Sequence, residues 1–199
     1  MSRSSRVGDM RPMKLPNCIA TGMTNVTEDR MFVPFFDYDR TELNVVIEDA
    51  RYLQSRFDLG TMVIAVCTDR RTPVGVRIGN YHLIGFTRLE LNELRDVLAA
   101  SRCDAKYKEY GLTTPQRCWV LRISSKISIG TKLVHRPAMK LLRVMRDDTE
   151  CEASGAHMRF ISKLFDIPLM RDFKREDGFK VVGLITYPTY APGPKKEAA

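Results

Sequence analysis

The stretch TMVIAVC, residues 61–67, runs without a charge from Gly60 to the breaker-rich TDRRTP that begins at Thr68. An apolar run of that length, rich in β-branched residues and bounded by turn formers, reads as a strand in the interior of a sheet. Other elements must cover it, and the flanking sequence supplies them. Met31–Asp39 is a strand candidate that ends on two acids, and VGVRIGNYHLIGF (74–86) is strand-like with Gly79 interrupting it. CWVLRIS (118–124) is a further strand, KISIGTKLVH has the pattern of a hairpin, and FKVVGLITY (179–187) is a late strand.

Helical spacing appears between these strands. Thr41 can cap a helix through about Leu59, with Leu43, Val46, Ile47, Ala50 and Leu53 on one side and Gly60 as the stop. Thr87 and Glu90 form a capping-box pattern before Leu91, Leu94, Val97 and Leu98. RCDAKYKEYGLTTPQ (102–116) suits a polar loop or short helix, and AHMRFISKLF (156–165) a helix. The order strand, helix, strand, strand, helix, strand, strand predicts an α+β (mixed α/β) sheet with helices on one face. At 199 residues the chain is expected to be one domain, or one domain with a small appendage. Residues 1–25 read as a flexible basic arm, 26–150 as the core, 151–188 as a helix and strand completing it, and 189–199 as a tail.

The formal charge of +8 favours an anionic partner, with nucleic acid first. No apolar run reaches membrane-spanning length, and MSRSSRVGDMRPMKLP lacks the apolar segment of a secretory signal. Five scattered cysteines without a C-x-x-C pair argue against a zinc knuckle and for reduced thiols in a cytoplasmic setting, that of a host if the gene is viral or plasmid-borne.

The acids in FFDYD carry the first chemical signal. On a strand, positions i and i+2 share a face, so Asp37 and Asp39 would project together with Tyr38 behind them. Neighbouring carboxylates repel unless a cation lies between them, and hard oxygen ligands suit Mg²⁺ or Mn²⁺. The plain alternative is that Asp37 closes a strand and Asp39 helps open the next helix. Downstream, Asn80 and His82 share a strand face, Asp104 follows in RCDAKY, and WVLRISSK brings Arg122, Ser124 and Lys126. An arginine emerging from an apolar strand needs either a carboxylate or a phosphate.

In this order the residues resemble the archaeo-eukaryotic primase (primase-polymerase) superfamily over about Met31 to Lys126. FFDYD is similar to its first motif, NYH to its Ser-x-His with Asn80 in place of Ser, and CDAKY…WVLRISSK to the stretch carrying the third acid and a basic strand. The resemblance implies a small catalytic core with a mainly antiparallel sheet flanked by helices. It implies Asp37, Asp39 and Asp104 as metal ligands, with Asp147, Asp148 and Asp166 as rivals for the third place. His82 would contact the incoming nucleotide's phosphates, with Asn80, Arg122, Ser124 and Lys126 nearby. The implied activity is template-directed nucleotidyl transfer as a DNA primase or polymerase in replication or repair. Its partners would be a DNA template-primer, nucleoside triphosphates and a helicase or other replication proteins.

The remaining basic residues are candidates for the nucleic-acid surface: Arg70, Arg71 and Arg77, then Lys106 and Lys108, then Lys132, Arg136, Lys140, Arg143 and Arg146. The last five fall in KLVHRPAMKLLRVMR, fifteen positions without an acid. The alternatives are a non-catalytic nucleic-acid-binding module of the same fold and a metal-dependent nuclease. A rolling-circle nickase is excluded because His82, His135 and His157 lack its paired-histidine spacing.

Overall fold

The computed structural model describes residues 16–113, 118–128, 134–136, 138–149, 151–169 and 182–188. Its strands are β1 (Pro16–Thr24), β2 (Phe35–Glu42), β3 (Met62–Arg71), β4 (Arg77–Gly85), β5 (Val120–Arg122), β6 (Lys126–Ser128), β7 (Val134–Arg136), β8 (Lys140–Met145) and β9 (Val182–Pro188). Its helices are α1 (Leu43–Phe57), α2 (Leu91–Ala100), α3 (Ala105–Thr113) and α4 (Gly155–Phe165). One sheet has the order β2-β4-β3-β8; the other runs β5-β1-β6-β7 with β9 also on β1. Every pairing among the described strands is antiparallel. The fold is α+β, as the order of elements predicts.

The uncharged run of β3 is explained by its position between β4 and β8. Met62 and Ile64 pack with Val46, Ala50 and Leu53 of α1 and Leu94, Val97 and Leu98 of α2. Val63, Ala65 and Cys67 pack on the opposite face with Leu121, Ile123, Met158 and Ile161. Both faces of the strand are therefore dry, and each fully buried aliphatic side chain there contributes roughly 1.5–3 kcal/mol.

The helix ends differ in detail from the sequence expectation. α1 stops at Phe57, because Asp58 adopts the left-handed C-cap conformation (φ 51°) and donates its N–H to the Gln54 carbonyl. The Gln54 amide then donates to the carbonyls of Gly60 and Met145, both at 3.0 Å, which ties the end of α1 to β8. α2 is boxed by Glu90 and Glu93. Thr87 instead accepts the Gly60 N–H at 3.1 Å.

Two strands are corrections. The expected flexible arm over 1–25 is a strand from Pro16 to Thr24, paired with β9 along most of its length and with β5 and β6. Its sequence, PNCIATGMT, has few large apolar residues, so its strand character comes from partners about a hundred or more residues away. KLLRVM, read only as part of a basic set, forms β8 at the edge of the first sheet, where Lys140 and Arg143 face solvent. Residues 1–15 of the expected arm and the tail 189–199 lie outside the described residues. Among the described residues, no helix is long and apolar enough to cross a membrane.

Candidate active site

The register of β2 and β4 places Asp37 directly opposite His82. Asp37 Oδ1 and His82 Nε2 are 3.5 Å apart. Strand alternation gives this pair the face of Phe35 and Ile84, which pack in the cluster shared with Leu121 and Ile123. Tyr38 and Tyr81 point the other way, into the helix-covered cluster. Asp37 and His82 thus lie on the side of the first sheet that carries β5 side chains.

Both neighbours of β4 are irregular beside Asn80. β2 shifts register between Tyr38 and Thr41, and β3 between Val66 and Thr68. Arg40 takes the left-handed conformation (φ 52°) in the first bulge. The Arg40 N–H is accepted by Asn80 Oδ1 at 3.1 Å. Gly79 is required between the bulges, since a Cβ there would strike the Thr68 carbonyl and the Asp69 backbone. Bulges commonly re-aim side chains near functional sites. Asp37 is half-buried and Asp39 exposed, so simple alternation no longer guarantees that the two carboxylates project together. Asn80, expected near the nucleotide, holds the backbone that carries Asp39.

His82 is buried, and its pKa is lowered to about 3 by that burial and by the Arg122 guanidinium. The imidazole is therefore neutral at physiological pH, and its approach to Asp37 is a carboxylate beside a neutral ring rather than an ion pair. Cys67 Sγ stands 3.5 Å from Nε2 and 3.7 Å from Nδ1. Arg122 reaches this spot from β5, where it is opposite Gly22, and donates to the Ser124 carbonyl. Ser124 Oγ accepts the Thr21 N–H at 2.7 Å and donates to the Ser125 carbonyl at 3.0 Å, so it fastens β1 to the segment after β5.

Asp104 is brought to the same place by its backbone. Its N–H donates to the Asp37 carbonyl at 2.8 Å, while its Oδ1 accepts the Tyr107 N–H at 3.0 Å and caps α3. A buried network holds the approach to Asp104. The Tyr38 hydroxyl donates to Asp49 Oδ2 at 2.6 Å, and the Arg102 N–H donates to the same oxygen at 2.8 Å. The Tyr107 hydroxyl is buried without a hydrogen-bond partner among the described residues. Its pKa is pushed well up by burial, then by Asp37, Cys103 and Cys118. Asp49, Cys67 and Tyr107 were not anticipated as parts of the site. The only sequence signal for any of them is the cap-like spacing of Asp104 and Tyr107.

Asp37 and His82 therefore face each other, Asp104 joins Asp37 through its backbone, and the Arg122 charge acts on His82. Asp39 stands exposed, and half-buried Lys126 begins β6. Among the described residues, no three His, Cys, Asp or Glu side chains form a ready metal cage. Mg²⁺ sites that act on phosphates commonly use one or two carboxylates and complete their shell with water and substrate oxygens. An open site of that type would draw on Asp37 and Asp39, with Asp104 Oδ1 already engaged in capping α3. The rivals for the third acid have other roles or places. Asp147 Oδ1 accepts the Thr149 N–H at 2.9 Å, Asp166 forms the C-cap of α4, and Asp148 is exposed beyond the end of β8.

The basic candidates divide similarly. Arg77 donates through Nε to Asp69 Oδ2 at 2.8 Å, and Lys108 Nζ donates to the Ser101 carbonyl at 2.7 Å. Both are thus partly committed within the fold. Arg70, Arg71, Lys106, Lys140, Arg143 and Arg146 are exposed. Lys132 lies outside the described residues, as does the side chain of Arg136. His157 has a structural position: its Nε2–H donates to the Thr24 carbonyl at 2.8 Å and its Nδ1 accepts from Ser154 Oγ at 2.7 Å, joining α4 to β1. No family model matches the chain, and no curated protein or solved structure matches it.

Proposed function

We propose that the chain is a template-directed nucleotidyltransferase, a DNA primase or polymerase of the primase-polymerase type. The observation that carries the reading is convergence. Asp37, His82, Asp104 and Arg122 are spread over most of the chain's first two thirds, yet Asp37 faces His82 across β2 and β4, the Asp104 N–H bonds the Asp37 carbonyl, and the Arg122 charge acts on His82. A structural ion pair needs two such residues; four of the kinds that phosphate chemistry uses make a stronger constellation.

In this reading the triphosphate of an incoming nucleotide enters beside Arg122, whose guanidinium offsets charge as the transition state develops. His82 is neutral and carries a single N–H, which it gives to Asp37 or to an incoming phosphate oxygen. Asp37 and Asp39, with Asp104 beside them, would hold the Mg²⁺ or Mn²⁺. Such a cation, when bound, supplies activation of the attacking hydroxyl and neutralisation of the departing pyrophosphate. The exposed Arg70, Arg71 and Lys106, with Lys140, Arg143 and Arg146, would meet the template-primer, and a helicase or other replication protein would deliver it. Among the described residues, Cys67, Cys103, Cys118 and Cys151 are thiols outside any disulfide, which accords with a cytoplasmic setting.

A second reading has its own support. The Asp104 carboxylate caps α3, and no three-ligand cage is formed among the described residues, which suits a nucleic-acid-binding module of the same fold without turnover. Incubating the protein with labelled nucleotides, primed template and Mn²⁺ separates the two. The enzyme reading expects extension that Asp37→Asn abolishes while strand binding persists. Binding without extension supports the module, and shortening of the labelled strand identifies a nuclease.

A further inference from the structure

The opposite edge of the first sheet carries a second basic feature. Its strand order puts β8 at one end and the Asp37 strand, β2, at the other, with β4 and β3 between. Three strand spacings separate them, about 14 Å. Where β8 meets the last turns of α1, a cavity of about 310 Å³ is lined by Arg51, Gln54 and Ser55 from the helix and by Arg143, Arg146 and Asp147 from the strand and its exit.

Arg51 and Ser55 are one helical turn apart and share a face of α1. Gln54 fixes the floor through its bonds to the Gly60 and Met145 carbonyls, both 3.0 Å. Among the described residues, no acid pairs with Arg51, Arg143 or Arg146. The one carboxylate in the lining, Asp147, already accepts the Thr149 N–H at 2.9 Å and bonds its hydroxyl. The end of α1 contributes only a partial negative charge, and its Gln54 carbonyl is occupied by the N–H groups of Asp58 and Leu59. Three guanidinium groups therefore outweigh the negative groups in a recess with a hydroxyl at its wall. Guanidinium forks match the oxygens of a phosphate in pairs.

We propose that this recess is a second phosphate-binding site, separate from the Asp37–His82 pair. Its ligand is a phosphate group, supplied either by the backbone of a nucleic-acid strand crossing β8 or by a free polyphosphate. The strand-borne case rests on the template-primer surface proposed above, which shares Arg143 and Arg146; the polyphosphate case stands whether or not Asp37 and His82 are catalytic.

The test uses the full chain and two probes without divalent cation: inorganic tripolyphosphate and a single-stranded oligothymidylate. Amide chemical shifts report the location, and affinities are measured over a salt series for the wild type, Arg51→Gln and the double variant Arg143→Gln/Arg146→Gln. Tripolyphosphate should shift the amides of Ser55 and Arg146, and the double variant should bind it at least tenfold more weakly. If a strand is the natural source, the log–log salt slope for the oligonucleotide should also fall by roughly 0.7 for each contacting arginine removed. A weakened tripolyphosphate affinity with an unchanged oligonucleotide slope assigns the site to a free polyphosphate. If the Ser55 and Arg146 amides do not move, or both variants retain wild-type affinity for both probes, the proposal is overturned.

Discussion

Acidification should destabilise the fold through two histidines that are held neutral. His82 has its pKa lowered from 6.5 to about 3 by burial and by Arg122, and His157 from 6.5 to about 4 by burial. In each case the folded value is below the unfolded one, so the unfolded chain binds more protons in the window between them. The stabilisation is complete above pH 6.5 and is lost as pH falls through that window toward the folded pKa. At pH 5, about 1.5 units into the window, each histidine accounts for a loss of ~2 kcal/mol at ~1.4 kcal/mol per unit. The pair together would remove about 4 kcal/mol, a large share of the 5–15 kcal/mol typical of a domain. Urea unfolding at pH 7 and pH 5 measures the drop, and His82→Gln should reduce it by ~2 kcal/mol. Imidazole proton shifts in the folded protein provide a direct check, since His82 should not titrate above about pH 4. An imidazole titrating near 6.5, or a His82→Gln variant with the full wild-type pH dependence, would refute the picture of a dry histidine beside a guanidinium.

Tyr38→Phe removes the 2.6 Å donor to Asp49, an acid that is 1% exposed, and among the described residues leaves it only the Arg102 N–H. The loss of a hydrogen bond to a charged buried acceptor should cost about 1.5–3 kcal/mol in urea unfolding; a change below about 0.5 kcal/mol contradicts the network. Arg40, at φ 52°, should accept glycine without loss of stability, whereas Arg40→Val should cost about 1–2 kcal/mol because a β-branched residue resists the left-handed region. Equal melting temperatures for the two Arg40 variants would show that the bulge is not held as described.

Local patterns exposed much of this fold in the sequence. TMVIAVC is an interior strand because both of its faces are covered, and Trp119, Leu121 and Ile123 are all buried. The two halves of KISIGTKLVH pair as β6 and β7. Long-range dependence concealed the rest. β1 is poor in large apolar residues and gains its definition from β9 and β5. β8 was hidden by Lys140 and Arg143, charges that an edge strand tolerates and an interior strand does not. Residue types and order singled out Asp37 and His82, which the register of β2 and β4 sets opposite each other. The bulge at Arg40 could not be read from FFDYDRTE, because it depends on Asn80 accepting the Arg40 N–H from the neighbouring strand. Asp49 carries no sequence signal of its own, because its partners, the Tyr38 hydroxyl and the Arg102 N–H, lie 11 and 53 positions away.

The central claim is that Asp37, His82 and Arg122 form one receptor for a triphosphate and its cation. Titrating a non-hydrolysable nucleoside triphosphate against the protein with Mn²⁺, with water-proton relaxation as the readout, tests it directly. The account predicts a ternary relaxation enhancement that requires both nucleotide and protein, is lost in Asp37→Asn and is weakened at least tenfold in affinity by Arg122→Gln. A folded wild-type protein that gives no ternary enhancement, or variants that match the wild type, would contradict it.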